Sequence, residues 1–260
     1  LNARNMSIPE SHLKREVLSI GLQGSGFILL SFTVLTYTDT FKTAISFLTV
    51  SFITWIYVLT LCYRRLSLNY DTETGLSFER LGAGNRITLL RGLLIAATAG
   101  FLGSSPSSLS VLALFLPAVL YTTAAIGDAL DGYVARITKQ ASQLGKELDN
   151  ELDALGLLIA PLLAILWDKL HVSYMSVSLA FYIFRIGIYL RKRLGLKVCP
   201  LPASSFRRRL AGYQMGLVAT ALWAPIPAEL TQPIGFLLMA PLLCRFILDW
   251  LYVSDRITDS

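Results

Sequence analysis

The chain has 260 residues, 54% of them hydrophobic and 15% charged, with a net charge of +6 and a mean hydropathy of +0.57. An ordinary soluble domain carries about one-quarter charged residues, so this balance excludes one and predicts an integral membrane protein. Cys62, Cys199 and Cys244 form no spaced pairs, and His12 and His171 lie far apart, which argues against a disulfide framework and against a zinc site.

Residues 1–16 read as a short polar leader, interfacial or frayed. Eight apolar stretches follow, at 17–37, 44–63, 87–103, 109–127, 152–168, 171–190, 212–228 and 233–252. Crossing the hydrocarbon core takes roughly 20 apolar residues as a helix. The stretches are continuously apolar and do not alternate, which points to helices and not to a barrel. The first, Val17–Tyr37, is too long for a signal peptide and lacks a small-residue cleavage site, so it reads as a retained span. Its "GLQGSGF" (21–27) fits close helix packing.

The polar connection "RRLSLNYDTETGLSFERLGAGN" (64–85) separates an N-terminal hairpin from six further spans. It divides the chain into 1–80, a leader, hairpin and connection, and 81–260, a six-helix unit. Asn85 is a candidate cap for the first helix of that unit. The fold class expected is an all-α polytopic membrane protein. Basic residues gather in alternate connections: Arg64, Arg65, Arg80 and Arg86; then Arg136, Lys139 and Lys146; then seven between spans six and seven. The intervening loops hold only Lys42 and Lys169. This pattern places both termini in the cytoplasm.

The stretch 127–153, "GDALDGYVARITKQASQLGKELDNELD", breaks the pattern. It carries six acidic and three basic residues, while the rest of the chain has 11 acidic and 20 basic. Asp128 and Asp131 share one helix face, as do Asp149 and Asp153, and a turn near Gly145 would bring the pairs together at the cytoplasmic surface. A charge inside a span costs about 3 kcal/mol on insertion scales, and four clustered carboxylates repel one another. Divalent cations offset both costs. Carboxylate oxygens suit Mg²⁺, Mn²⁺ or Ca²⁺, with room for two ions, and such sites usually handle phosphate. Gly132, Ala135 and Gly145 would let a ligand approach the backbone, although Gly132 and Ala135 equally suit tight helix packing. Arg136 suits a phosphate or a carboxylate. Glu147 and Glu151 project from other faces and are expected in water.

The spacing Asp128-x2-Asp131-Gly132-x2-Ala135-Arg136-x8-Gly145-x3-Asp149-x3-Asp153 resembles the complete signature of the CDP-alcohol phosphotransferase (CDP-alcohol phosphatidyltransferase) family. The resemblance extends over about 85–252, a six-helix core that opens with "NRITLLRG" through Asn85, Thr88 and Arg91; Gly84 stands where a proline is common. It implies transfer of a substituted phosphate from a CDP-alcohol, often CDP-diacylglycerol, to an acceptor hydroxyl, with release of CMP. It implies Asp128, Asp131 and Asp149 as ligands of Mg²⁺ or Mn²⁺, with Asp153 as general base and contact to a second ion. Gly132, Ala135, Arg136 and Gly145, with Asn85 and Thr88, would shape the nucleotide site. A homodimer in a bacterial or archaeal cell membrane, with membrane lipid and no nucleic acid as partner, completes the expectation.

The connection "YLRKRLGLKVCPLPASSFRRRLAG" (189–212) holds seven of the 23 basic residues. It reads as a topology signal that touches anionic head groups, or as a pocket for a phosphorylated acceptor such as glycerol 3-phosphate or inositol phosphate. Arg207 and Arg208 are candidates for that pocket, with Arg185 inside span six. Serine and phosphatidylglycerol remain open as acceptors. A cation carrier is the reading from a different class, but its acids would sit deeper in the bilayer. Arg245 and Asp249, four apart, read as a structural pair.

Overall fold

The computed structural model describes residues 7–202 and 204–256. Among them are eight α-helices and no strand: α1 (Ser7–Thr38), α2 (Phe41–Arg64), α3 (Ala83–Ala99), α4 (Val111–Ile137), α5 (Gln143–Leu166), α6 (Met175–Arg193), α7 (Ser205–Ala221) and α8 (Ala228–Val253). The all-α polytopic reading holds. Residues 7–16 of the expected leader belong to α1; residues 1–6 lie outside the described residues. Six helices, all but α5 and α7, are long and apolar enough to cross a membrane. The other two expected spans fall short for visible reasons. The first half of α5 carries the acids, and α7 has 17 residues and begins with Arg207, Arg208 and Arg209.

The chain packs as two units, Leu1–Ile159 and Ala160–Ser260, which part within α5. In the first, α1 packs on α2, α2 on α3, and α3 on α4. Small residues permit this. Gly24 of α1 faces the indole of Trp55 on α2, and a Cβ there would lie 2.6 Å from the ring. The indole Nε1 donates to the Gly21 carbonyl at 3.2 Å. Thr40 and Ser110 cap α2 and α4 through their side-chain oxygens. Between them, Asp39 accepts the Ser110 N–H at 2.7 Å and its hydroxyl at 2.8 Å, which ties the α1–α2 turn to the start of α4. Partial burial raises the Asp39 pKa, but the Ser110 N–H, then the Thr38 and Ser110 hydroxyls, outweigh it and hold the group below its ordinary value.

The polar connection is more ordered than its composition suggests. Asp71 accepts the N–H groups of Glu73 and Thr74 at 2.7 and 2.9 Å, and Gly75 takes a left-handed φ of 71°, so "DTETG" closes a tight turn. Tyr70 bridges to Ser77 across that turn, and Asp71 bridges to Ser142 just before α5. Gln143, the first residue of α5, donates its N–H to the Tyr70 carbonyl at 3.0 Å.

In the second unit, α8 packs on α6 and α7. The Tyr174 hydroxyl donates to the buried Gln214 side chain, whose amide nitrogen donates to the Leu238 carbonyl at 2.7 Å. Gly187 of α6 makes room for the ring of Trp250 on α8. The expected Arg245–Asp249 pair is present at 2.8 Å, and Arg207 joins it at 3.0 Å.

Candidate active site

The site is built from α3, α4, α5 and the turn between the last two. α4 does not stop at the end of its apolar stretch; it continues through Asp128, Asp131 and Arg136 to Ile137. The reversal comes at Thr138–Ser142, where Lys139 takes a left-handed φ of 51°. It does not come near Gly145, as the sequence had suggested, because glycine is compatible with the first turn of α5, which Ser142 caps by accepting the Gly145 N–H at 3.0 Å. The four aspartates still converge, since the reversal sets the end of α4 against the start of α5.

Their meeting point is Arg91 of α3, which is 2% exposed. Its Nη2 lies 2.6 Å from Asp128 Oδ1 and 2.7 Å from Asp153 Oδ1. Its Nη1 lies 2.7 Å from Asp131 Oδ2 and 2.6 Å from Asp149 Oδ1. The planar fork of a guanidinium is what allows one side chain to meet four carboxylates. Gly127 makes the approach possible, because a Cβ there would lie 2.8 Å from the Arg91 stem.

The four carboxylates are not equivalent. Asp131 is buried, and Thr88 donates its hydroxyl to the same Oδ2 at 3.0 Å. The side chains of Asp128, Asp149 and Asp153 are 32%, 40% and 37% exposed, so they form the open side of the cluster. Each of these three offers an oxygen within 4.8 Å of the others. That spacing fits one oxygen-seeking divalent ion, whose metal–oxygen distances run from about 2.0 to 2.6 Å. With all four carboxylates ionised, the single charge of Arg91 leaves a formal deficit that a divalent ion would reduce. The residues present therefore fit such an ion.

Beside the cluster is a pocket of 260 Å³ that contains Gly132, Ala135, Arg136, Gly145 and Asn85 together with Asp131 and Asp149. The residues expected around a nucleotide thus share one cavity, except Thr88, which is turned to Asp131. Asn85 is not a helix cap, since α3 starts two residues earlier, at Ala83. It is buried, and its amide donates to Asn69 Oδ1 at 3.1 Å and Ser142 Oγ at 3.0 Å. A Cβ on Gly145 would lie 2.5 Å from Asn85 Oδ1, so glycine is needed there for close approach. Ala135 lies against Gly84 of α3, where an added Cβ would come within 2.8 Å, which supports the packing reading for that alanine. Arg136 is exposed at the pocket rim.

The sequence profile of the CDP-alcohol phosphatidyltransferase family matches residues 82–250, more than half of the chain. The chain belongs to this family. No curated protein and no solved structure matches it. Membership makes the chain a member of a family of transferases that act on CDP-alcohols and an alcohol acceptor, in general with a metal ion. Together with the six apolar helices, it identifies an integral membrane protein.

Several features of this family member were not drawn from the sequence. Arg91 was noted only as part of the helix opening; an arginine in an apolar helix facing four acids was the available signal. Thr72 and Lys146 line the pocket, and Thr72 comes from a connection that carried no recognisable motif. Glu151 does not face water. Its side chain is 11% exposed and pairs with Arg65 at 3.0 Å. Arg185, Arg207 and Arg208 belong to the second unit. Arg185 lies 5.7 Å from the Phe181 ring centroid. Arg207 is held by Asp249 and the Pro202 carbonyl, and Arg208 is exposed on α7.

Proposed function

We propose that the chain transfers a substituted phosphate from CDP-diacylglycerol to the hydroxyl of a phosphorylated polyol, such as glycerol 3-phosphate or inositol phosphate. The observation that carries this reading is the convergence of three reachable carboxylates at the edge of a pocket holding the signature glycines, Ala135 and Arg136. The acceptor oxygen bonds to the phosphorus attached to the lipid, the bond from that phosphorus to CMP breaks, and the acceptor proton passes to Asp153. Asp128, Asp131 and Asp149 would hold Mg²⁺ or Mn²⁺, and Asp153 would also offer an oxygen to a second ion. Bound there, the metal supplies positive charge to the phosphate oxygens and to the departing CMP. Arg91 holds the carboxylates in register, and Thr88 fixes Asp131. Asn85, Gly132, Ala135, Arg136 and Gly145 hold the cytidine diphosphate. Arg207 and Arg208 are assigned to the acceptor phosphate, supported by the basic character of their connection, and Arg185 with them, supported by the presence of an arginine within an apolar helix.

Residues 81–260 form the catalytic core in this reading, and 1–80 an accessory hairpin. The alternation of basic connections supports an active site facing the cytoplasm, and the family resemblance supports a homodimer. The test is an acceptor panel: purified protein, CDP-diacylglycerol, Mg²⁺ and, in turn, glycerol 3-phosphate, inositol phosphate, serine and phosphatidylglycerol, with the lipid product identified by mass spectrometry. A product with a phosphorylated polyol that is lost in Asp153→Asn is expected. Turnover of serine or phosphatidylglycerol alone would overturn the acceptor assignment, and undiminished turnover in Asp153→Asn would overturn its role as base.

A further inference from the structure

A second cavity lies in the first unit, away from the aspartates. It is a groove of 380 Å³ with α1 and α3 as walls and Trp55 of α2 behind. On α3, Thr88 and Arg91 face the carboxylates, whereas Leu90 and Leu93 line the groove. Two residues turn a helix by about 200°, so the two sites use opposite faces of α3, and no signature residue lines the groove.

We propose that this groove binds one membrane glycerophospholipid, with its phosphodiester on Arg86 and one acyl chain along Phe27 and Leu93. Polarity grades along it in the required order. At its mouth, Glu16 accepts the Leu81 N–H at 2.9 Å through Oε2. Arg86 reaches the same oxygen only at 3.5 Å, and its side chain is 57% exposed. A guanidinium has five N–H donors, so this one retains donors for a phosphate, the anion its fork matches. Next along α1 come Ser19 and Gln23. Both are exposed, both line the groove, and neither makes a hydrogen bond to a described residue. They lie about 4.5 and 10.5 Å beyond Glu16 at 1.5 Å per residue, between the phosphate and the deeper acyl chain of the proposed lipid. A polar group turned to hydrocarbon costs free energy unless it is satisfied, and the glycerol ester carbonyls of that lipid accept from both. Beyond them the lining becomes apolar. Phe27 lies about 16 Å from Glu16 along the helix axis, close to half of a hydrocarbon core of about 30 Å. The groove therefore spans one leaflet, from head group to chain end.

The test uses the full chain in maltoside micelles with dibrominated-chain phosphatidylglycerol as probe. Trp167, Trp223 and Trp250 are replaced by Phe, so that only Trp55 reports. Saturable quenching at one lipid per chain is expected. Arg86→Gln should raise the half-saturating lipid fraction about tenfold, the scale of a lost charge-assisted hydrogen bond. Gln23→Phe, which fills the groove, should abolish the saturable phase. Native mass spectrometry of the otherwise unaltered chain provides a second readout that does not depend on the Phe replacements: one bound phospholipid should be lost in Arg86→Gln. Quenching that rises linearly with bulk lipid and ignores both variants overturns the proposal. So does efficient disulfide dimerisation of Gln23→Cys without saturable quenching, which would mean that a second copy fills the groove.

Discussion

Arg91→Ala is the most informative single change at the cluster. The guanidinium is buried and makes four contacts of 2.6–2.7 Å, each to a different carboxylate. A unit pair 4 Å apart is worth about 4 kcal/mol at an effective dielectric of 20. Three of the four carboxylates are about a third exposed, so solvent screening reduces their share. The alanine variant leaves the carboxylates facing one another without their shared counter-charge. Breaking a buried ion pair by removing one partner costs about 3–5 kcal/mol. At about 2–4 °C per kcal/mol for chains of this size, the midpoint of thermal unfolding should fall by about 6–20 °C in chelator. A divalent ion supplies the missing charge, so the deficit should shrink when Mg²⁺ is added; saturation at a hundredfold over Kd contributes about 2.7 kcal/mol. Arg91→Lys keeps the charge but lacks the fork and should fall between the two. The assay is thermal unfolding in detergent with chelator and with Mg²⁺. An alanine variant that melts within about 2 °C of the parent in chelator would refute the account of Arg91 as the hub, and so would a deficit that Mg²⁺ leaves unchanged.

Gly145→Ala should displace Asn85, because the new Cβ would lie 2.5 Å from its Oδ1. The expected cost is about 1–3 kcal/mol of stability, with a raised KM for the CDP-linked donor in a CMP-release assay. Asp39→Asn should remove a pH-dependent contribution. The folded pKa lies below the ordinary 3.8, so the stabilisation is present above that value and is lost as pH falls through the lower folded value. The melting midpoint of the parent should therefore drop more steeply than that of the variant as pH falls below 3.8. Arg208→Ala should raise KM for a phosphorylated acceptor and leave KM for the donor unchanged, whereas Arg207→Ala should also lower the melting midpoint, because Arg207 pairs with the buried Asp249.

The acidic site was legible in the sequence because its chemistry is local. Two pairs of aspartates at helical spacing, on two helices joined by a short turn, must meet if the helices lie antiparallel. The same logic placed Gly132, Ala135, Arg136 and Gly145 near the cluster, whereas Asn85 came from the family resemblance; all five line one pocket. What escaped came from long-range partners. The counter-charge, Arg91, lies on α3, 37 residues before Asp128, and periodicity does not indicate which neighbour an arginine will meet. Glu151 looked solvated because its partner, Arg65, ends a helix in the hairpin, far away in sequence. Thr72 reaches the pocket only because a turn closed by Asp71 and Gly75 docks beside Ser142. The eight expected spans were read from apolar stretches; eight helices form among the described residues, and six of them are long and apolar enough to cross a membrane, while the charged first half of α5 keeps that helix outside the six.

The central claim is that the aspartate cluster, loaded with a divalent ion, drives CMP release from a CDP-linked lipid. The most direct measurement is CMP release from CDP-diacylglycerol by purified protein with glycerol 3-phosphate or inositol phosphate, in Mg²⁺ and in chelator, for the parent and for Asp149→Asn. The account predicts release equimolar with a lipid phosphodiester in the parent with Mg²⁺, a loss of about a hundredfold or more in Asp149→Asn, by analogy with the loss of a single electrostatic stabiliser, and a comparable loss in chelator. Equal CMP release under all of these conditions would contradict it.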